Sequence, residues 1–276
     1  MGNVHNELDE LELEVMLEAI FRRYGYDFRE YAKASLLRRL HLAREALNEP
    51  DFGQLQYRII RDENAFRRLL SFMSVTVTEM FRDPLFFAAL REHIFPHLST
   101  YPFLKVWHAG CATGEEVYSM AIFFKEAGLY ERTHFYATDI NSESLKKASR
   151  GIYPVAHMAQ SIKNYQQAGG REDFSQYYSA NYESIKFHDS IKSNITFSSH
   201  NLATDGVFNE MDLIICRNVM IYFGKALQER VLNTFYNSLS PLGFLALGSK
   251  ETAHIGGNEL FMDCVRDEKI YRKRGS

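Results

Sequence analysis

Residues Val106 to Ala121 read VWHAGCATGEEVYSMA: an apolar run with strand texture, a turn with glycines at 110 and 114, two adjacent carboxylates, then a helix-like apolar run. Strand, glycine turn and helix in immediate succession open a unit of an α/β sheet. In such sheets ligands bind beyond the carboxyl ends of the strands, and glycine lets the backbone come close to them. The spacing G-x-x-x-G is neither the G-x-G-x-x-G fingerprint nor a Walker loop, since no Gly-Lys-Ser/Thr follows. By itself it also suits an ordinary tight turn.

Outward from this unit the chain alternates. Strand patterns at Lys105–Ala109, His134–Asp139, Ile195–His200, Met211–Arg217, Phe244–Ser249 and Val265–Arg272 are separated by helical patterns at Glu115–Ala127, Ser142–Ser149 and Lys225–Leu239. This order predicts a doubly wound α/β fold with a mostly parallel sheet over residues 75–276. Pro241-Leu242-Gly243 reads as a turn leading into the fifth strand. The residues between Tyr153 and Ile195, about forty and rich in Tyr, Ser, Gln and Asn, are too many for an ordinary connection. They predict an inserted subdomain at about 154–194, with a helix over Gln160–Gln167 and an antiparallel hairpin of Tyr177–Tyr182 with Ser184–Asp189. Upstream, Glu7 to about Met73 repeats its apolar residues every three or four positions, which predicts a small all-α domain over 1–74. In one of its helices Leu36, Leu40, Ala43 and Leu47 form the apolar stripe, with Arg38 opposite and Arg39 and Arg44 flanking. The pattern alone is that of a solvated basic face.

Composition narrows the class. The 276 residues are 46% hydrophobic and 14% aromatic, which excludes a disordered or fibrous chain. No apolar run approaches the ~18 residues that span a bilayer, and the N-terminus is acidic, so the expectation is a soluble cytoplasmic protein without membrane insertion. Cys111, Cys216 and Cys264 form no C-x-x-C pair, so reduced, mostly buried thiols are expected, with neither a disulfide framework nor a metal site. The net charge of −3 argues against a nucleic-acid partner.

A second feature sharpens the glycine turn. The strand after it, HFYATDI, ends in Asp139, about twenty-five residues beyond Gly114, where an acid can accept hydrogen bonds from both hydroxyls of a ribose or simply cap the next helix. Turn and acid together indicate a nucleoside-containing cofactor, either a nicotinamide dinucleotide or S-adenosylmethionine. Glu115 and Glu116 at the helix start would repel a pyrophosphate but attract a sulfonium and an ammonium, which favours S-adenosylmethionine. The stretch SSHNL places Asn201 and Leu202 at a strand end, where an amide and an apolar contact suit an adenine ring. CRNVMIYF carries Arg217 and Asn218 off the next strand, with Tyr222 four residues on.

The segments SVTVTEMFRDPLFF, GCATGEEVYS, ATDINSESLKKASRGIY, HNL and CRNVMIYF, in this order, closely resemble the CheR-type chemotaxis receptor methyltransferases. The resemblance covers most of the chain. It implies a Rossmann-like S-adenosylmethionine-dependent methyltransferase domain with an all-α N-terminal domain and a small antiparallel β insertion. It also implies transfer of a methyl group to glutamate side chains on the cytoplasmic helices of a chemoreceptor, giving glutamate methyl esters and S-adenosylhomocysteine. By the same resemblance the cofactor is held at Thr76, Thr78, Arg82, Glu116, Asp139, Asn201, Leu202, Arg217 and Asn218, with Gly110 and Gly114 admitting its methionine portion. Arg82 and Tyr222 face the acceptor, and Arg38, Arg39 and Arg44 contact the receptor. Thr76 departs from the Asn common in relatives, and Met80-Phe81 precedes the arginine. These departures are the support for a rival reading, a scaffold that binds the cofactor with weakened catalysis. The expected hairpin turn, Ser179 to Ser184, has no glycine. That predicts independence from the C-terminal receptor tether that some relatives grip. A monomer is expected.

Overall fold

The computed structural model describes residues 2–74, 78–257 and 259–275, with side chains from Glu10 onward in the first helix. Among them, helices α1 (Gly2–Tyr24), α2 (Lys33–Ala46), α3 (Phe52–Arg61) and α4 (Glu63–Met73) form the N-terminal domain. Its core is the apolar face of each helix, with Leu17, Leu36, Leu40, Leu55 and Leu69 all buried. Asp51 and Asp62 start α3 and α4 by accepting hydrogen bonds from Gln54 N and Asn64 N, the usual remedy for free N–H groups at a helix start.

The second domain is built on a seven-stranded sheet. Its strands are β1 (Leu104–Ala109), β2 (Thr133–Asp139), β6 (Ile195–Ser199), β7 (Met211–Cys216), β8 (Leu239–Leu247), β9 (Phe261–Val265) and β10 (Ile270–Lys273). They lie in the order β6-β2-β1-β7-β8-β10-β9, all parallel except the last pair of contacts, through β10. The order reverses between β1 and β7, and a ligand crevice is expected at that switch point. One face carries α7 (Glu115–Glu126), buried along Val117 to Phe124, and α8 (Ser142–Arg150). The other carries α11 (Lys225–Ser238).

A helix over residues 84–98 precedes β1, and the sequence patterns did not reveal it. Two α-helical pieces, α5 (Pro84–Ala89) and α6 (Phe95–Leu98), flank a π turn at Leu90–Ile94. The wide turn ends just before Pro96, which has no N–H to give and would clash with the carbonyl four residues back. The insertion contains β3 (Ile152–Pro154), α9 (Met158–Gln167), β4 (Tyr178–Ala180), β5 (Ser184–Phe187) and the short α10 (Asp189–Lys192). The hairpin is therefore shorter than its sequence pattern, and β3 joins it to make a three-stranded antiparallel sheet. Glu126 at the end of α7 ties the insertion down: it pairs with Arg91 at 2.6 Å and accepts from the hydroxyls of Tyr165 and Tyr177.

Two boundaries differ from expectation. Val265–Arg272 is not one strand but the turn of a hairpin between β9 and β10. Lys269 supplies the left-handed residue, φ +55°, where a glycine signal is missing. Pro241-Leu242-Gly243 lies inside β8, not before it: pairing with β7 jumps from Met211–Leu239 to Leu213–Phe244, and Leu242 bulges out at φ +64°. Cys111 and Cys216 are buried, whereas Cys264 is exposed.

The two domains meet beside the switch point. Tyr31 bridges to Phe223, Ala32 N donates to Tyr222 O at 2.9 Å, and Gly224 N donates to Glu30 O at 2.7 Å. A Cβ on Gly224 would lie 2.7 Å from that same carbonyl, so only glycine permits this approach.

Candidate active site

The carboxyl ends of β1, β2 and β7 open into two cavities that share Gly110, Asn218, Val219 and Tyr222 and so form one cleft. One half is walled by Asp139, Ile140, Asn201 and Leu202, the other by Thr78, Arg82, Glu116 and Arg217. The structure thus brings together residues that the sequence places as far apart as Thr78 and Tyr222. Thr76 lies outside the described residues. A wider cavity adjoins at Thr78 and Arg82 and extends beneath α9, past Glu79, Glu115 and His157. Gly110 of the glycine turn and the strand-end acid Asp139 line the strand-end cleft and not this wider cavity.

The glycines are unequal. Gly110 has φ +82°, and a Cβ would sit 2.5 Å from Val219 Cγ2, which lines the cleft. Gly114, φ +93°, faces α8 instead: its Cβ would be 2.8 Å from Ala148 Cβ and 3.1 Å from the Tyr153 hydroxyl. It permits close helix packing and is absent from the cleft wall, contrary to the expectation for it.

Four non-glycine residues around the cleft adopt left-handed backbone, namely Phe81 (φ 52°), Asp83 (φ 55°), Ala112 (φ 48°) and Asn218 (φ 60°). Each costs of order 1–3 kcal/mol and persists only where neighbours hold it. Here every one is pinned. Phe81 N donates to Ser119 Oγ (2.9 Å), Arg217 grips Asp83 (2.7 Å), Ala112 N donates to Asp139 Oδ2 (2.8 Å) and Asn218 N donates to Glu251 Oε2 (2.9 Å).

Glu251 also belongs to the site, although no local sequence signal singles it out. Its buried carboxylate accepts from the backbone N–H groups of Asn218 (2.9 Å), Val219 (2.9 Å), Ile221 (3.2 Å) and Gly248 (2.6 Å). It therefore fixes the whole loop from Asn218 to Tyr222. Burial pushes this carboxyl upward from its ordinary value while the backbone donors pull against it.

Charge in the half of the cleft that holds Thr78 and Glu116 is organised around Arg217. It bonds Glu116 at 2.9 Å and Asp83 at 2.7 Å, and lies 4.0 Å over the Phe86 ring. Glu116 also meets His108 Nδ1 at 3.3 Å. Burial opposes the ionisation of Glu116, but His108 and Arg217 outweigh it and hold the carboxyl below its usual range. In the cleft wall itself this leaves the Glu116 carboxylate, held by Arg217 and His108, beside the Arg82 guanidinium. Glu115 takes no part in that network. It accepts from Thr113 Oγ1 at 2.6 Å, and burial raises its pKa.

At the other end, Asp139 accepts from Ala112 N and Asn141 N, both at 2.8 Å, one through each oxygen. Each oxygen keeps a lone pair for a hydroxyl. Burial raises its pKa, against these backbone bonds. The Asn201 side-chain oxygen accepts from Ala203 N at 3.0 Å, closing its own turn. Arg82 and Tyr222 stand half-buried at the mouth, and the Arg82 guanidinium has no hydrogen-bond or ion-pair partner among the described residues.

Of the three arginines on α2, Arg38 is exposed and Arg44 is half-buried over Phe52. Arg39 is only 4% exposed and points into the cleft. It stands where the second domain covers α2, so the basic outer face expected for it consists of the other two.

Residues 76–270 match the family model of the CheR methyltransferase SAM binding domain, and residues 11–74 match that of the CheR methyltransferase all-alpha domain. The chain belongs to the CheR methyltransferase family. Among CheR relatives, Cher3 of Pseudomonas putida is 47% identical over 96% of this chain and 97% of its own. The chemotaxis protein methyltransferase of Salmonella typhimurium is 29% identical, covering 88% of this chain and 84% of its own. That of Borreliella burgdorferi is 26% identical over 93% of each. The CheR cofactor is S-adenosylmethionine, and the cleft lining is compatible with it: a strand-end acid with acceptor capacity left, a carboxylate held below its usual range, and a glycine where a Cβ would collide with Val219 of the wall. Among the described residues, no helix is long and apolar enough to cross a membrane.

Proposed function

We propose that this chain methylates glutamate side chains on the cytoplasmic helices of a chemoreceptor, serving adaptation in chemotaxis-type signalling and leaving glutamate methyl esters and S-adenosylhomocysteine. The observation that carries the reading is the cleft mouth. Arg82, whose guanidinium has no hydrogen-bond or ion-pair partner among the described residues, and the aromatic Tyr222 stand there, and Glu116, the one carboxylate among the described lining residues, is already engaged by Arg217 and His108. A glutamate with a reference pKa of about 4.3 is already ionised at neutral pH and needs no base. What it needs is alignment, a proximity effect of several kcal/mol.

The bound cofactor supplies a methyl group on a positively charged sulfur. The chain's own residues do the rest. Asp139 accepts ribose hydroxyls, with Asn201 and Leu202 beside the adenine. Glu116, held by Arg217 and His108, faces the ammonium, and Thr78 and Asn218 complete the walls. Arg82 orients the acceptor carboxylate, and Tyr222 lines the channel and excludes water. Arg38 and Arg44 meet the acidic receptor surface. The protein acts in the cytoplasm as a monomer.

The scaffold reading gains nothing from Met80: its side chain is buried in the core, 3.8 Å from Ser119 Oγ, and its carbonyl accepts from Asn164. The turn between β4 and β5 is closed by Asn181 Oδ1, which accepts from Glu183 N and Ser184 N, so it offers little open loop for a tether. We take the enzyme to act without one. Receptor-containing membranes incubated with the protein and methyl-labelled cofactor are expected to yield base-labile label on receptors with or without a tail peptide. Label only on tailed receptors would refute tether independence. No label on any receptor would refute the substrate.

A further inference from the structure

Arg39 departs furthest from its expected place. Its Nη1 donates to the carbonyl of Met73, the last residue of α4. Its Nη2 is buried with no hydrogen-bond partner among the described residues, in the wall of the cavity that holds Asp139, Asn201 and Leu202. A buried, unpaired guanidinium N–H is unfavourable and is seldom left unmatched without a ligand or water to meet it. A second side chain in the same cavity repeats the observation. His200 is 8% exposed, and neither ring nitrogen meets a partner in hydrogen-bond geometry among the described residues, with only the Gly206 backbone and the Asp205 charge acting on the ring nearby. Its ring is held edge-on by Trp107 at 5.2 Å and Phe208 at 5.4 Å. Burial lowers its pKa, so at neutral pH it carries one donor and one acceptor, a match for the edge of a purine.

We infer that Arg39 and His200 bind the adenosine half of the cofactor, Arg39 Nη2 donating to it and His200 meeting it with its ring nitrogens, so that the helical domain supplies part of the cofactor site. This rests on the adenosine half lying beside Asp139. The consequence reaches the acceptor side. Arg39 lies 4.3 Å over the Tyr222 ring, and Tyr222 O accepts from Ala32 N at the start of α2. Filling the adenosine cavity therefore steadies α2, the end of α4 and the mouth residue together.

The test is calorimetric titration of the whole chain with S-adenosylhomocysteine and with 5′-methylthioadenosine, which lacks the amino-acid half, alongside thermal melts without ligand. Arg39→Lys keeps the charge but loses the fork, and His200→Phe keeps the ring packing but loses both nitrogens. Each is expected to melt near the parent and to weaken both ligands by a similar factor, about tenfold or more. Folded Arg39→Lys binding both ligands within about twofold of the parent overturns the inference for Arg39, as does a loss confined to S-adenosylhomocysteine. The same results with His200→Phe overturn its part. If Arg39→Lys does not fold, Arg39→Gln is read in the same way. Failure of both variants to fold makes Arg39 a structural residue and also overturns its assignment. Asp139→Asn separates the levels. If it too binds normally, the placement of the adenosine half is wrong, and if it alone is weakened, only the present inference falls.

Discussion

Glu251→Gln asks the most of the site's architecture, because one carboxylate holds the backbone of Asn218, Val219, Ile221 and Gly248. An amide of the same shape keeps one oxygen. Its nitrogen then faces two N–H donors, either Val219 and Ile221 or Asn218 and Gly248, and two bonds are lost. Hydrogen bonds to a charged group contribute about 1.5–3 kcal/mol each, and relief of carboxylate burial offsets part of the loss, which leaves about 2–4 kcal/mol. At about 2–4 °C per kcal/mol for a chain of this size, the melting temperature should fall by roughly 5–15 °C. The pinned φ of Asn218 relaxes as well, so the affinity for S-adenosylhomocysteine should drop by about tenfold or more even in the folded fraction. Differential scanning calorimetry and isothermal titration at a temperature well below the transition give the two numbers. An unchanged melting temperature together with an unchanged affinity would refute the claim that this carboxylate shapes the cleft.

Other perturbations act on the glycine turn, the outer face of α2 and the His200 ring. Gly110→Ala forces a Cβ to within 2.5 Å of Val219 at φ +82°, costing about 1–3 kcal/mol in overpacking; equilibrium dialysis should show cofactor affinity reduced by about tenfold. Arg38→Glu, on the exposed face of α2, should lower kcat/KM for receptor methylation by about three- to tenfold and leave cofactor affinity alone, as a filter-binding assay would report. Because burial holds the pKa of His200 below that of the unfolded chain, its contribution to stability is full above about pH 6.5 and is lost as pH falls through the range below. Urea denaturation at about pH 7.5 and about pH 5.5 should therefore show a loss of stability that is smaller in His200→Gln.

How far the sequence carries depends on whether a signal is local. β1, the glycine turn and α7 are legible because apolar run, turn and helix are contiguous, and Asp139 is legible because a lone acid ends an apolar strand. The helix over residues 84–98 is obscured by Pro96, which a π turn accommodates. The β9–β10 hairpin is obscured because Lys269, not glycine, takes the left-handed position. Arg39 sits at the flank of its own helix by periodicity, and groups distant in sequence, Met73 of α4 and Tyr222 of the second domain, close over it. Glu251 is about thirty residues from the backbone it holds, and nothing in its neighbourhood announces a carboxylate meant for a distant loop. Gly114 could be read as a required glycine, but not whether a ligand or a helix demanded it.

A receptor glutamate is the proposed acceptor of the methyl group. Mass spectrometry of a purified receptor cytoplasmic domain after incubation with this protein and S-adenosylmethionine tests it directly. Methyl esters are expected on glutamate residues of the helical region, removed by mild base and missing from reactions with Arg82→Ala. Methyl groups found only on other residue types, or none with the cofactor demonstrably bound, would contradict it.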